Sequence, residues 1–329
     1  MENESTGMLA DAIEPKNGIR VRALARTYFP IIMLVALCAI FGALSPRFFS
    51  FNNAMIILQQ AAVLLTVSLG MTFVIIAGSI DLSVGSMVAL TALASAMLAQ
   101  DMGIWAVVPA AGVGIVAGLI NGLIFAKGKV PSFMVTLGTL VAYRGLVLYF
   151  TKGAPVEITR RDFLNTFAGR TEGIPHAAII VLLIAIAVYI IFNFTVFGRE
   201  VRAIGGGERV AILTGIKVTR IKILIFTMLG LLCGLAGTLQ SARVYAATAQ
   251  LGEGLEMDVI AAVVVGGTPL TGGVGSIQGT VLGALVITIL SNGMNMMGVD
   301  PYIQNIIKGI VLIAAVFVTI DRSKIGIIK

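Results

Sequence analysis

The chain has 329 residues, 58% of them hydrophobic and only 12% charged, with 23 Lys and Arg against 16 Asp and Glu. A soluble domain averages about 25% charged residues, and one this apolar would expose large greasy patches, so a soluble fold is excluded. The net charge of +7 does not mark a nucleic-acid binder, because the cations sit in short stretches between apolar tracts, as topology signals do.

Residues 1–27 form a polar tail with Lys16, Arg20, Arg22 and Arg26 near its end. The first apolar tract, 28–45, follows a long leader with no A-x-A site, which reads as an uncleaved span rather than a signal peptide. Further tracts run over 53–77, 83–100, 104–126, 131–150, 177–197, 221–242, 258–267, 276–297 and 302–320. Continuous apolar runs of about 18 residues or more are membrane spans, not the alternating segments of a β-barrel. The expected fold is all-α and polytopic: about ten transmembrane helices, one of them short, in a single domain over 28–320, with tails 1–27 and 321–329. If the chain crosses alternately from an inside N-terminus, the inside stretches hold 15 Lys and Arg and the outside stretches six. Both termini are therefore expected inside.

The tract pattern is broken twice. "GSIDLSVGS" (78–86) sets Asp81 between long apolar runs, and "GGTPLTGGVGS" (266–276) concentrates glycine around Pro269. Gly and Pro free backbone groups, which are tolerated at membrane depth only when packed in protein or lining a wet cavity. The tract before the second break is only ten residues, ~15 Å of helix, so that break is expected inside the membrane; the first is as compatible with a turn. The two align as "VIIAGSIDLS" and "AVVVGGTPLT", each followed by "VGS", which suggests an internal repeat of undecided symmetry.

Interrupted segments in matching places point to a substrate path. The candidates on it are Asp81 and Ser83 in the first break, Thr268 in the second, and Gln59, Gln60, Asn121, Asn292 and Asn295 in the tracts. Uncharged amides suit a hydroxyl-rich solute, and equally suit bonds between helices. Asp81 has two readings. It can cap the helix that starts near Val84, or it can touch substrate, as intramembrane charges often do. Arg144 and Lys308, also inside tracts, fit snorkelling or pairing with a helix end.

The stretch 198–222 is basic and places "GGG" before a short helix-like segment, 208–213, closed by Gly215, a form suited to docking on a soluble partner. The chain has no P-loop and no H-E-x-x-H or G-x-S-x-G motif. Cys38 and Cys233 lie in apolar tracts with His176 the only histidine, so neither a disulfide framework nor a metal site is expected. These absences argue against an enzyme.

Segments "FNNAMIILQQ" (51–60), "GMTFVIIAGSIDLSVGS" (70–86), "GLINGLIFAKGKVPSFMVTLGTLVAYRGL" (118–146), the whole of 198–222 and "DVIAAVVVGGTPLTGGVGSIQGTVLGAL" (258–285) resemble permease subunits of the ribose-type bacterial ABC sugar importers. The resemblance covers about 28–320. It implies a multi-pass permease of the bacterial inner membrane that moves a monosaccharide or similar polyol by alternating access. It also implies partners: a second permease (homodimer or heterodimer), a cytoplasmic ABC ATPase, a periplasmic sugar-binding protein and membrane lipid, with no nucleic acid. No cofactor is expected in this chain; ATP and magnesium would be bound by the ATPase. By the same resemblance 198–222 is the coupling loop. Gly207, Glu208, Arg209 and Gly215 then frame a coupling helix, and Arg209-Val210 stand where relatives often carry two alanines. The rival expectation is a secondary transporter acting alone on a small polar solute.

Overall fold

The computed structural model describes residues 16–319, with side chains from Tyr28 to Phe317. The expected tails, 1–27 and 321–329, lie largely or wholly outside that range. Helices dominate: α1 Lys16–Leu44, α2 Phe51–Ile76, α3 Val84–Met102, α4 Val107–Ala126, α5 Ser132–Thr151, α6 Arg161–Phe167, α7 His176–Phe194, α8 Val196–Gly206, α9 Glu208–Leu213, α10 Val218–Val244, α11 Leu255–Val265, α12 Ile277–Met296 and α13 Pro301–Thr319. By length and apolarity six stretches can cross a membrane, with the α3–α4 stretch counted as one; Tyr28–Leu44 and Pro301–Phe317 are shorter apolar helices. The chain is thus a polytopic helical membrane protein.

α3 and α4 are two legs rather than one rod. Gly103, at φ 55°, turns the chain between them. A single turn or so of α10 meets both: Gly234 lies against Ala110 and Ala111, and Gly237 against Thr91 and Ala92. Small residues make this approach possible. Gly114, Gly118 and Gly122 recur every fourth residue along one face of α4, and each has α10 backbone directly over it. Hydroxyls then bridge the helices: Thr91 donates to Cys233 O (3.0 Å), and Ser95 pairs with Ser241 (2.9 Å).

α2 and α12 form the buried centre and run antiparallel, joined by Thr72–Thr280 (2.7 Å) and by Asn292 donating to Asn53 (3.1 Å). At one end of the bundle lie the basic connections 127–131 and 207–217, here termed the basic end. At the other, two-residue strands organise the polar segments. β1 (Val156–Glu157) pairs with β4 (Ala246–Ala247) and β2 (Arg170–Thr171) with β3 (Ile174–Pro175). The β2–β3 turn has Glu172 and Gly173 at positive φ, the pattern of a tight two-residue hairpin.

After β4 the chain dips back between the helices. Arg144, midway along α5, donates to the carbonyls of Ala249 and Leu251 (2.8 Å to the latter). Gly252 then packs on Gly85, in the first turn of α3. α11 therefore starts deep in the bundle, and its 11 residues cover only ~16 Å.

Candidate translocation site

The two breaks meet. Gly273 N donates to Ile76 O (2.9 Å), and Gly272 and Gly275 press on the same turn of chain. Gly205 of α8 closes the junction from the basic end, so tightly that a methyl group there would overlap Ile76 O. Thr268 is fully buried, while Thr271 and Val274 at the tip reach the surface.

Asp81 is fully buried beside this junction. Its Oδ1 accepts from Ser83 N (2.7 Å) and Ser83 Oγ (2.6 Å), and its Oδ2 accepts from Asn121 Nδ2 (3.3 Å). Asn121 Nδ2 also donates to Ser83 Oγ (2.8 Å), and the Tyr143 hydroxyl donates to Asn121 Oδ1 (3.1 Å) and Ala117 O (2.9 Å). Asn121 sits five residues before the end of α4, so the carboxylate lies ~7 Å inside that helix end. The network thus ties the start of α3 to α4 and α5. A buried carboxylate with both oxygens bonded is a local anchor rather than a free charge.

A cavity of about 260 Å³ opens between α2, α3, α10, α11, α12 and α13, toward the strand end. Val63, Val88 and Leu255 make its apolar floor; Gln60, Gln240, Arg243, Glu253, Thr288, Ser291 and Asn295 are its polar lining. Lys308 Nζ and Asp258 Oδ2, 2.7 Å apart, form an ion pair in its wall, each side chain about one-fifth exposed. Gln240 Oε1 is buried with no partner among the described residues. Polar side chains set around a hollow inside a membrane bundle are costly unless they serve a solute.

The expected pathway residues therefore divide. Gln60 and Asn295 line the cavity, and Asp81, Ser83 and Asn121 form the network below it. Thr268 is in the junction of the breaks. Asn292 bonds Asn53 on the α2–α12 seam, and Gln59 accepts from Arg170 (3.2 Å) at the strand end, both away from the cavity. Gln240 and Arg243 carry no mark in the sequence, and Asp258, which there reads as part of an acidic outer stretch (244–258), is instead the partner of Lys308. One signal was available: Lys308 needed a carboxylate, and the acidic stretch 244–258 had three without a cation of its own.

At the basic end α9 runs from Gly207 to a turn at Gly215, φ 85°, where glycine is favoured. Glu208 Oε2 accepts from Lys222 Nζ at 2.7 Å, which pins α9 to α10. Only Ala211 of α9 is buried; Val210, Ile212 and Leu213 project outward, Leu213 at 83% exposure. Arg209 is exposed beside them.

A helical membrane bundle with a polar hollow between its spans, and a short apolar helix presented at one end, has the build of a transport subunit. A family model described as "Branched-chain amino acid transport system / permease component" matches residues 53–316, and the chain belongs to that family. It is 41% identical over 300 residues to the ribose import permease protein of Escherichia coli (strain K12), covering 89% of this chain and 93% of the relative. The ribose import permease protein of Bacillus subtilis (strain 168) is also 41% identical, over 90% and 92%. The D-allose transport system permease protein of E. coli (strain K12) is 35% identical over 90% and 91%. No solved structure gives a significant match. The chain is a multi-pass permease of the bacterial ABC importer class, a transport subunit and not an enzyme.

Proposed function

We propose that this permease carries a monosaccharide or similar polyol across the bacterial inner membrane by alternating access, with both termini and the basic end in the cytoplasm. The observation that carries the reading is the cavity: amide and hydroxyl side chains with two cations (Arg243, Lys308) balanced by two carboxylates (Glu253, Asp258) leave a polar lining of no net charge, which matches a neutral, hydroxyl-rich solute better than an ion. The names of the ribose and allose relatives support the same substrate class. The excess of cations at the basic end supports the orientation. The ten-helix count follows if α1, the α3 and α4 legs, the half-length α11 and α13 are each counted with the other long helices.

In this reading ATP is hydrolysed on a separate ATPase that docks on α9. Motion of α9 passes through Gly207 to α8, whose Gly205 touches Ile76 at the end of α2 and Gly273 in the second break, and the breaks hold the floor of the cavity through α3 and α11. A periplasmic binding protein delivers the solute at the strand end, and a second permease completes the assembly. Gly207, Glu208, Arg209 and Gly215 are the coupling residues. Reconstitution in liposomes tests this: uptake of ribose or a related sugar should need the ATPase, ATP and the binding protein together. Gradient-driven uptake by the permease alone would instead make it a secondary transporter. Glu208→Arg, which sets two cations against each other at Lys222, is expected to abolish ATP-driven uptake while the permease still folds. Unchanged uptake by that variant would remove Glu208 from the coupling path.

A further inference from the structure

A second hollow, of about 960 Å³, is separate from the transport cavity. It lies at the basic end, between the α4–α5 turn, α9 and the first turns of α10. Five cations line it: Lys127 and Lys129 from the turn, and Lys217, Arg220 and Lys222 from the α10 start. Among the described residues the only carboxylate in its lining is Glu208, already bound to Lys222. The other four cations have no acidic partner among the described residues. Lys129 is held at φ 56°, a conformation uncommon for a lysine, so the turn pays strain to keep this geometry. The amino-terminal end of α10, a 27-residue helix, brings Val218, Thr219 and Arg220 and the positive end of the helix dipole to the same space; Val218 N itself donates to Ile216 O (2.9 Å).

The opposite wall is apolar. Phe125, Ile223 and Leu224 line it, and Lys222 lies 4.7 Å from the Phe125 ring centroid. Ile120 and Ile124 of α4, like Leu224 of α10, are exposed on the adjoining spans, where hydrocarbon would lie. A cationic floor, a helix amino terminus and an apolar wall that continues along membrane-spanning helices are together complementary to one kind of ligand, a phosphate attached to an acyl chain. A soluble anion would use the floor and leave the wall wet. We propose that this groove is a binding site for the phosphate of an anionic phospholipid of the leaflet at the basic end. The lipid is held between the α4–α5 turn and the coupling helix α9. Since Glu208 and Ile212 of α9 line the groove, an occupied site braces α9 against α10 and ties the coupling element to the charge of the bilayer.

The test uses the full-length permease purified in neutral detergent, offered phosphatidylglycerol and phosphatidylcholine of equal chain length, with bound lipid read by native mass spectrometry. Wild type is expected to retain phosphatidylglycerol preferentially. Each cation removed is expected to weaken retention roughly fivefold, so Lys127→Gln/Lys129→Gln/Arg220→Gln should lose about a hundredfold. The charge-preserving Lys127→Arg/Lys129→Arg variant should keep it, which separates lost charge from a damaged fold. Lys152→Gln, at the strand end, should behave as wild type. Equal retention by the triple variant, or no preference between the two lipids, would overturn the proposal. Displacement of the lipid by millimolar inorganic phosphate would also overturn it, making the groove a site for a soluble anion.

Discussion

Asp81 holds its charge within protein, on three donors supplied by Ser83 and Asn121. Charge-assisted bonds of this kind contribute roughly 1.5–3 kcal/mol each. Asp81→Asn keeps an acceptor for Ser83 but sets two amide NH₂ groups face to face, because Asn121 cannot flip without losing its bond from Tyr143. That variant is expected to lose about 1–3 kcal/mol and Asp81→Ala more, read as lower melting temperatures in detergent. Unchanged melting in both would show that the network anchors nothing. The local half of this picture, the turn in which Asp81 accepts from Ser83, was legible from "SIDLSVG", since such side chains bond nearby backbone N–H groups; the expected cap is not made, because Ser83 at the N-cap of α3 makes no side-chain cap bond and Asp81 spends its oxygens on Ser83 and Asn121. The partners were not legible. Asn121 is 40 residues away and Tyr143 a further 22, and nothing local marks them as neighbours.

At the scale of elements, packing between α4 and α10 depends on the absence of side chains. A Cβ on Gly118 would overlap Phe226 O, and one on Gly114 would overlap Gly230 O, main-chain atoms that cannot turn aside. Gly118→Val should force the helices apart, at a cost of about 1–3 kcal/mol or more, and lower the yield of folded permease. Gly138→Val, on the open face of α5, should not; equal yields would contradict the packing argument. Helix positions were readable in advance because each span is a continuous apolar run, and most boundaries fall within three residues of the tract ends. The 208–213 segment was readable for another reason, its bracketing by glycines. α6 and α8 were not, because both lie in charged stretches whose helicity depends on docking a few residues, such as Phe163 and Val201, onto the bundle.

For the whole molecule, the decisive feature is that three distant segments share one hollow: the re-entrant chain before α11, the polar face of α12 and the outer half of α10. The ion pair across it joins residues 50 apart, Asp258 and Lys308, which local patterning could not pair. The re-entrant path itself was only half readable; the shortness of the 258–267 tract signalled it, while the descent through Ala249 to Gly252, held by Arg144, required the structure. The central claim is that this hollow is the route of the solute. Ser291 lines it and is half-buried, and cysteine replaces serine there with little change in volume. The measurement is ATP-driven sugar uptake by Ser291→Cys, in a Cys38→Ala background with the fully buried Cys233 retained, before and after a membrane-impermeant maleimide is added at the strand end. The account predicts that Ser291→Cys is modified, that modification blocks uptake, and that excess sugar-loaded binding protein with ATP slows the reaction. A thiol that is fully modified while uptake continues at its original rate would contradict it.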